Sequence, residues 1–290
     1  MLNETSQLLS DTVEKIFSDH VTKKCIINSE KGEWPKSLWT EVVDNGLNLV
    51  LVPEELGGVG GTWLEAGILF KAIGKYQAPI PLAENIVAGY LLSLGGISLP
   101  EKSIVTILGG ELTLKDNKIS GISRRTPFGS SATHAVAIIN DKSSPKVILT
   151  TIPQDSLSDD KNLALESRSN IEFLDHAVMN YSDISFTSEY IFKIGALMRS
   201  CQIAGGLESL LVQSVRYANE RVQFGRPIAK FQAIQQELAV LATHVAASGV
   251  AADYAAMSMD DGCEDLAIAS AKSRVDDAVS ICASIAHQVH

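Results

Sequence analysis

The last hundred residues constrain the fold most. From about residue 189 onward, apolar side chains recur with a helical period in three long stripes. Leu197, Cys201, Ala204, Leu207, Leu211, Val215, Ala218 and Val222 form the first. Phe231, Ile234, Leu238, Leu241, Val245, Ala252 and Met259 form the second. Leu266, Ala271, Val275, Ala278, Cys282, Ile285 and Val289 form the third. Helices of about 25 residues reach roughly 35–40 Å at ~1.5 Å per residue. Segments that long, joined by loops at Phe224–Ala229 and Asp260–Glu264, bury their stripes best as a bundle.

Upstream the period differs. Between about 103 and 190, short β-branched or alternating runs are separated by Gly, Asn, Asp, Ser and Pro: SIVTIL, ELTLKD, KISGIS, THAVAII, KVILTTI and HAVMNYSDISF. This pattern predicts an antiparallel β domain, with KDNKI as a hairpin turn. Residues 1 to about 100 return to helix. Leu2, Leu8, Leu9, Val13, Ile16 and Phe17 open on a 3.6-residue period. A second helix fits Lys36 to Asn45, with Leu38, Trp39, Val42 and Val43 inward and Gly46 as its stop. A third fits Trp63 to Lys75, started by Thr62 or the preceding glycines, and a fourth runs from about Leu82 to Leu94. The expected fold is α+β and multidomain: an N-terminal helical domain (1–100), a middle antiparallel β domain (101–188) and a C-terminal long-helix bundle (189–290). The apolar period is still running at SIAHQVH without a stop signal, so an incomplete bundle and a natural end are both open.

Composition removes several function classes. The formal net charge is −10 and the pI about 5.1, and no basic patch points to nucleic acid. The acidic pairs Asp159-Asp160 and Asp260-Asp261 read as solvated caps or loops. No apolar stretch of about 18 residues is apparent, so no membrane span is expected. The first residues lack the basic head and apolar middle of a signal peptide. Cys25, Cys201, Cys263 and Cys282 share no metal-like spacing and read as reduced thiols of a cytoplasmic protein. No Glu-x-x-His pair or Gly-x-Ser-x-Gly elbow is present, so neither a metal site nor hydrolase chemistry is expected. PEELGGVGG lacks the strand and Lys-Ser/Thr context of a phosphate loop and reads as a structural turn.

One corner is richer than the rest. ANERVQFGRPIAKFQAIQQELAV, residues 218–240, has helical flanks and a turn at Phe224-Gly225-Arg226-Pro227. Arg221, Gln223 and Gln232 surround the turn. Arg221 ends a helix, where the dipole favours a cation, and Gln232 opens the next. On composition alone this is a well-capped corner.

The same residues resemble the Arg-x-x-Phe-Gly-x-x-Ile…Phe-Gln-x-x-Gln…Leu-Ala signature of the acyl-CoA dehydrogenase family. LWTEVVDNGLNLVLVPEELGGVGGTWLEAGILFKAIGK is similar to that family's N-terminal helical domain, and RSCQIAGGLESLLVQSVRYANER to its first long C-terminal helix. Residues Ser284 to His290 look like the helix before the family's Gly-Gly loop. The resemblance implies a flavoprotein holding FAD at subunit boundaries. Such a protein oxidises an acyl-CoA thioester to the α,β-enoyl thioester and passes electrons to an electron-transfer flavoprotein. It implies a homo-oligomer, or assembly with a related acyl-CoA dehydrogenase subunit. Arg221, Gln223, Phe224 and Gln232 match positions that reach a neighbouring subunit's flavin, and Gln288 matches a glutamine near the adenine half. Arg199 matches an arginine beside one of the family's two positions for the catalytic base.

The departures are as informative. The first base position is occupied by Met198, which cannot accept a proton, and the second would lie beyond His290 with the Gly-Gly loop. No catalytic residue is therefore assigned. The Thr-Glu-Pro…Gly-Ser-Asp loop is replaced by residues 121–138, where Thr126 and Ser130 are candidate donors to a flavin and Arg124 and Arg125 read as solvated. The shortened middle domain resembles members used in steroid or side-chain degradation. Three readings follow: an acyl-CoA dehydrogenase, a degenerate subunit of a heteromeric one, or a helical scaffold without flavin.

Overall fold

The computed structural model describes residues 3–140, 144–262 and 264–290. Leu2 of the first apolar stripe and Cys263 lie outside the described residues. The order helices, strands, helices is the one the period predicts. The first helices are α1 (Glu4–His20), α2 (Lys23–Glu30), α3 (Lys36–Asp44), α4 (Trp63–Tyr76) and α5 (Leu82–Ser93). The strands are β1 (Val105–Ile107), β2 (Glu111–Lys115), β3 (Lys118–Pro127), β4 (His134–Asn140), β5 (Pro145–Thr151), β6 (Leu157–Ser158) and β7 (Arg168–Asp183). Then come α6 (Glu189–Glu220), a ribbon of β8 (Val222–Gln223) and β9 (Arg226–Pro227), α7 (Gln232–Asp260) and α8 (Glu264–Val289). The helix α2 escapes the periodicity because it has no buried residue to mark a face.

The chain packs as two compact units. One comprises Lys15–Thr62 and Pro79–Ile194. Its sheet runs β1-β4-β5-β7-β3-β2, with β6 on β7. The predicted hairpin joins β2 and β3 through Asp116 and Asn117, at φ 48° and 59°. Two consecutive left-handed residues make the tight turn that matches strand twist, and Asn and Asp tolerate it best after glycine. One pair departs from the antiparallel expectation. The strand β1 runs parallel to β4, with Val105 opposite His134. Parallel pairing needs a long connection, and the β2–β3 hairpin supplies it. The strand β7 begins at Arg168, earlier than the sequence runs imply, and pairs with β3 along its first part and β5 along its last. Leu108, Ile119, Ile148, Ile171 and Phe173 meet in the core of this sheet. The glycine loop closes on itself: the N–H groups of Gly58, Val59, Gly60 and Gly61 donate to the carbonyls of Pro53, Leu49, Val52 and Val50. Those donors are spent, so the loop has none of these to offer a phosphate.

The other unit comprises the chain up to Glu14, Trp63–Ala78 and Gly195–His290. Here α4 crosses α6 backbone against backbone. A Cβ on Gly74 would lie 1.8 Å from the Gln202 carbonyl oxygen, and one on Gly205 1.9 Å from that of Lys71. Leu207, Ala218, Leu241, Val245, Cys282 and Ile285 build the bundle core. Cys201 and Cys282 are buried on helix faces, and burial pushes the Cys201 thiol up to about 12. Asp260 serves the start of α4 from the far end of α7. Its carboxylate accepts from the Trp63 N–H at 3.0 and 3.1 Å and from the Leu64 N–H at 3.4 Å. The expectation of no long apolar stretch also needs correcting: α7 contains an 18-residue window of mean hydropathy 1.3. Leucines, valines and alanines together carry that mean, and α7 packs on α4 and α8.

Candidate functional site

The corner at residues 218–240 is a miniature hairpin set between two long helices. Helix α6 ends at Glu220, and the Arg221 N–H still donates to the Tyr217 carbonyl at 2.8 Å. Val222 then pairs with Pro227, and Gln223 with Arg226. The two turn residues, Phe224 and Gly225, have φ of 53° and 76°. Both are left-handed, as a two-residue hairpin requires. Glycine adopts this freely, but for phenylalanine it is an uncommon, strained conformation.

The ribbon is fastened at its base and free at its tip. Ile228 N–H donates to the Arg221 carbonyl at 2.8 Å, and the Gln235 side-chain amide to the Ala229 carbonyl at 2.9 Å. Ile228, Ala229, Ile234 and Tyr217 pack on the bundle core. Arg221, Gln223 and Gln232 are exposed, and Phe224 is 93% exposed. A large apolar ring held outward on a strained turn is not explained by packing within this chain. Sequence reasoning passed over Arg226. Its guanidinium lies 4.3 Å from the Phe231 ring centroid, and Phe224 meets the same ring edge-on at 6.1 Å. Phe231 thus holds Arg226 and Phe224 together, and the signal for this was the aromatic residue five positions on. Among the described residues neither Arg221 nor Arg226 has a carboxylate partner. Two cations on one exposed ribbon without internal counter-ions suit an anion with several oxygens, such as a diphosphate.

Gln288 is exposed on the last turn of α8. That end of α8 lies beside the end of α6, because the His290 ring stacks on Tyr217 with centroids 4.4 Å apart. Tyr217 is one helical turn before Arg221, so Gln288 belongs to the same end of the bundle as the ribbon. Met198 and Arg199 do not. They lie about 22 residues upstream on α6, roughly 33 Å along its axis at ~1.5 Å per residue. Met198 is buried, and Arg199 donates to the Gln202 side-chain oxygen at 2.5 Å.

The middle-domain candidates lie on β3 and in the segment between β3 and β4. Thr126 is buried on β3 and its hydroxyl is 2.8 Å from that of Ser123, which in turn accepts from the Gly109 N–H. The Ser130 hydroxyl is exposed but pairs with Ser167 at 2.9 Å. Both hydroxyls have a hydrogen-bond partner within the β domain. Arg124 and Arg125 are exposed, as read from the sequence. Arg125 sits in a register shift of β3 against β7, with φ 54° and its N–H on the Asn170 side-chain oxygen.

Residues 3–111 match the family model for the acyl-CoA dehydrogenase N-terminal domain, and residues 187–290 that for its C-terminal domain. Acyl-CoA dehydrogenase IpdE2 of Mycobacterium tuberculosis is 28% identical over 262 residues, covering 86% of this chain and 75% of the relative. A 3-(aryl)acrylate reductase of Clostridium sporogenes is 25% identical over 276 residues, covering 79% of this chain and 73% of the relative. The fold matches the ChsE4–ChsE5 complex from Mycobacterium tuberculosis at TM-score 0.88 and 22% identity, covering 100% of this chain and 87% of that one. It matches butyryl-CoA dehydrogenase from Megasphaera elsdenii at TM-score 0.82 and 19% identity, covering 100% and 88%.

Proposed function

The chain belongs to the acyl-CoA dehydrogenase family, and from that premise we propose that it takes part in α,β-dehydrogenation of an acyl-CoA thioester, with electrons passed to FAD and on to an electron-transfer flavoprotein. The observation that carries the reading is the exposed ribbon. Arg221 would donate to the flavin's phosphate oxygens, with Arg226 beside it, and Gln223, Gln232 and Gln288 would offer amides around the nucleotide half. Phe224 would lie against its apolar surface. The ribbon points away from its own unit's core, which fits a flavin held with a neighbouring subunit. The flavin, when bound, supplies the oxidant for the desaturation.

An oligomer is part of this proposal. Val250, Tyr254 and Met257 are spaced four and three residues apart on α7 and are 70%, 63% and 48% exposed. An apolar stripe of that extent on a helix calls for a partner surface. A homo-oligomer or a related subunit would cover it.

Met198 favours a second reading, in which this chain is the non-catalytic member of a heteromer. A thioether cannot remove the α-proton, which needs a carboxylate beside an acidified C–H bond. One structure with this fold is itself a complex of two differently named proteins, ChsE4 and ChsE5. On this second reading the isolated chain turns over acyl-CoA weakly or not at all. The deciding experiment is purification followed by an absorbance spectrum, a mass measurement and an assay with an artificial electron acceptor. Bound flavin that falls away in Arg221→Ala supports the proposal. A colourless protein would instead mark a scaffold that has lost flavin, and robust turnover by the isolated chain would remove the heteromeric reading.

A further inference from the structure

Helix α7 carries an 18-residue window of mean hydropathy 1.3, yet only 28% of that window is buried. A helix so apolar is ordinarily enclosed, so a face left in water calls for a cover. That face is one stripe. Thr243, Ala246, Val250, Tyr254 and Met257 are all exposed, and at about 100° per residue they fall within an arc of about 80°. From first to last the stripe is about 21 Å long at ~1.5 Å per residue.

Two properties of the stripe bear on what covers it. The first is charge. No Asp, Glu, Lys or Arg stands among its members. The acids on its flank are already answered within the chain. Both Asp253 oxygens accept from Lys71 Nζ, at 2.9 and 3.1 Å, and Asp260 accepts from the Trp63 and Leu64 N–H groups. A net charge of −10 sets copies of this chain against one another, and along this stripe they can approach without facing like charges.

The second is spacing. Successive members stand 3, 4, 4 and 3 residues apart, a pattern that reads the same from either end. A two-fold axis through Val250 therefore lays an antiparallel second copy on the first in register. Val250 meets the second copy's Val250, Tyr254 its Ala246, and Met257 its Thr243. Each large side chain lands opposite a small one, as close packing requires. Residues three and four apart are also those along which paired helices interlock. Contact with a different chain sets no such condition on the spacing, whereas an isologous interface must be complementary to itself.

We propose that a second copy of this chain covers the stripe, α7 against α7 in antiparallel pairing about a two-fold axis at Val250. This rests on the oligomer reading above and names its partner; it is independent of the flavin. The test combines disulfide mapping with sedimentation velocity on the whole purified chain. Under mild oxidation Val250→Cys is expected to link to its own copy, with the unsubstituted chain as background. Tyr254→Cys should not link to itself, because its two copies stand 8 residues, roughly 12 Å, apart along the pair, beyond the ~7 Å reach of a disulfide. It should link when mixed with Ala246→Cys. Val250→Glu sets two carboxylates against each other on the axis. Val250 is 70% exposed, so the fold should survive with unchanged circular dichroism while the sedimenting mass falls to half. A monomeric wild type would overturn this proposal and the oligomer reading together. An oligomer whose mass survives Val250→Glu, or in which Val250→Cys fails to link to itself, overturns this proposal alone and gives the stripe to another occupant, such as a related subunit.

Discussion

Replacing Gly205 by alanine sets two physical effects of opposite sign against each other. Gly205 lies inside α6, where alanine is favoured over glycine by about 1 kcal/mol of helix propensity. The structure predicts that this gain is overwhelmed. The added Cβ would stand 1.9 Å from the Lys71 carbonyl oxygen, 2.8 Å from its carbon and 3.0 Å from the Lys75 nitrogen. The first distance is about 1.6 Å short of an ordinary carbon contact of ~3.5 Å. The atoms met are backbone atoms of another helix, so no side chain can rotate away. Helices α4 and α6 must separate, opening the packing on both sides of the crossing. Overpacking in a well-packed core costs about 1–3 kcal/mol, and a backbone clash sits at the upper end. The net loss after the propensity gain should be about 2 kcal/mol, and a chain of this size should melt roughly 4–8 °C lower. Gly249→Ala on α7 is the control, because a Cβ there would have nothing within 4 Å of it. It should gain about 0.5–1 kcal/mol and melt slightly higher. Thermal unfolding followed by circular dichroism reads both. If Gly205→Ala melts at or above the wild type, the helices do not cross as described.

Three further perturbations test other parts of the molecule. Burial first, then the neighbouring acids Asp261 and Glu65, raise the Asp260 carboxyl above its usual value, against the lowering effect of the Trp63 and Leu64 N–H groups. A raised folded-state pKa contributes stability at low pH that is lost as pH rises through it. Asp260→Asn keeps an acceptor for the cap, so its melting temperature should fall less between pH 4 and 7 than that of the wild type; parallel profiles would refute this. Gly225→Ala forces a Cβ into a left-handed turn position at φ 76° and should cost about 1 kcal/mol, read as a lower urea midpoint with an unchanged slope. Phe173→Ala empties a fully buried site between strands and should cost about 3–5 kcal/mol by the same measurement.

The sequence disclosed what is local. The helix at Lys36 ends within one residue of the predicted boundary because its buried face, Leu38, Trp39 and Val42, is written in a 3.6-residue period. Asp116-Asn117 announces its hairpin because few other residue pairs accept two left-handed conformations in succession. The residues of the ribbon were legible too, though as a turn whose helical flanks carry polar groups. What stayed hidden was weakly patterned or non-local. Helix α2 buries nothing, so no stripe marks it. The beginning of β7 alternates Ile171 and Phe173 inward with Glu172 and an exposed Leu174, and one outward leucine blurs the period.

Period, turn chemistry and charge by themselves determined that this chain is helical, then β, then helical, and that one corner carries cations on a turn. Each of those is a property of neighbouring residues and their allowed dihedral angles. The tertiary structure decided which elements meet. It paired β1 with β4 across the intervening hairpin, laid α4 on α6 at two glycines, and brought Asp260 to the first turn of a helix 197 residues earlier. It also stood Arg226 on Phe231 and gathered Glu14, Lys71, Lys75, Glu208 and Asp253 around one cavity. Such meetings depend on the cost of closing long loops against the gain of close packing, a balance struck over the whole chain and recorded in no single stretch of it.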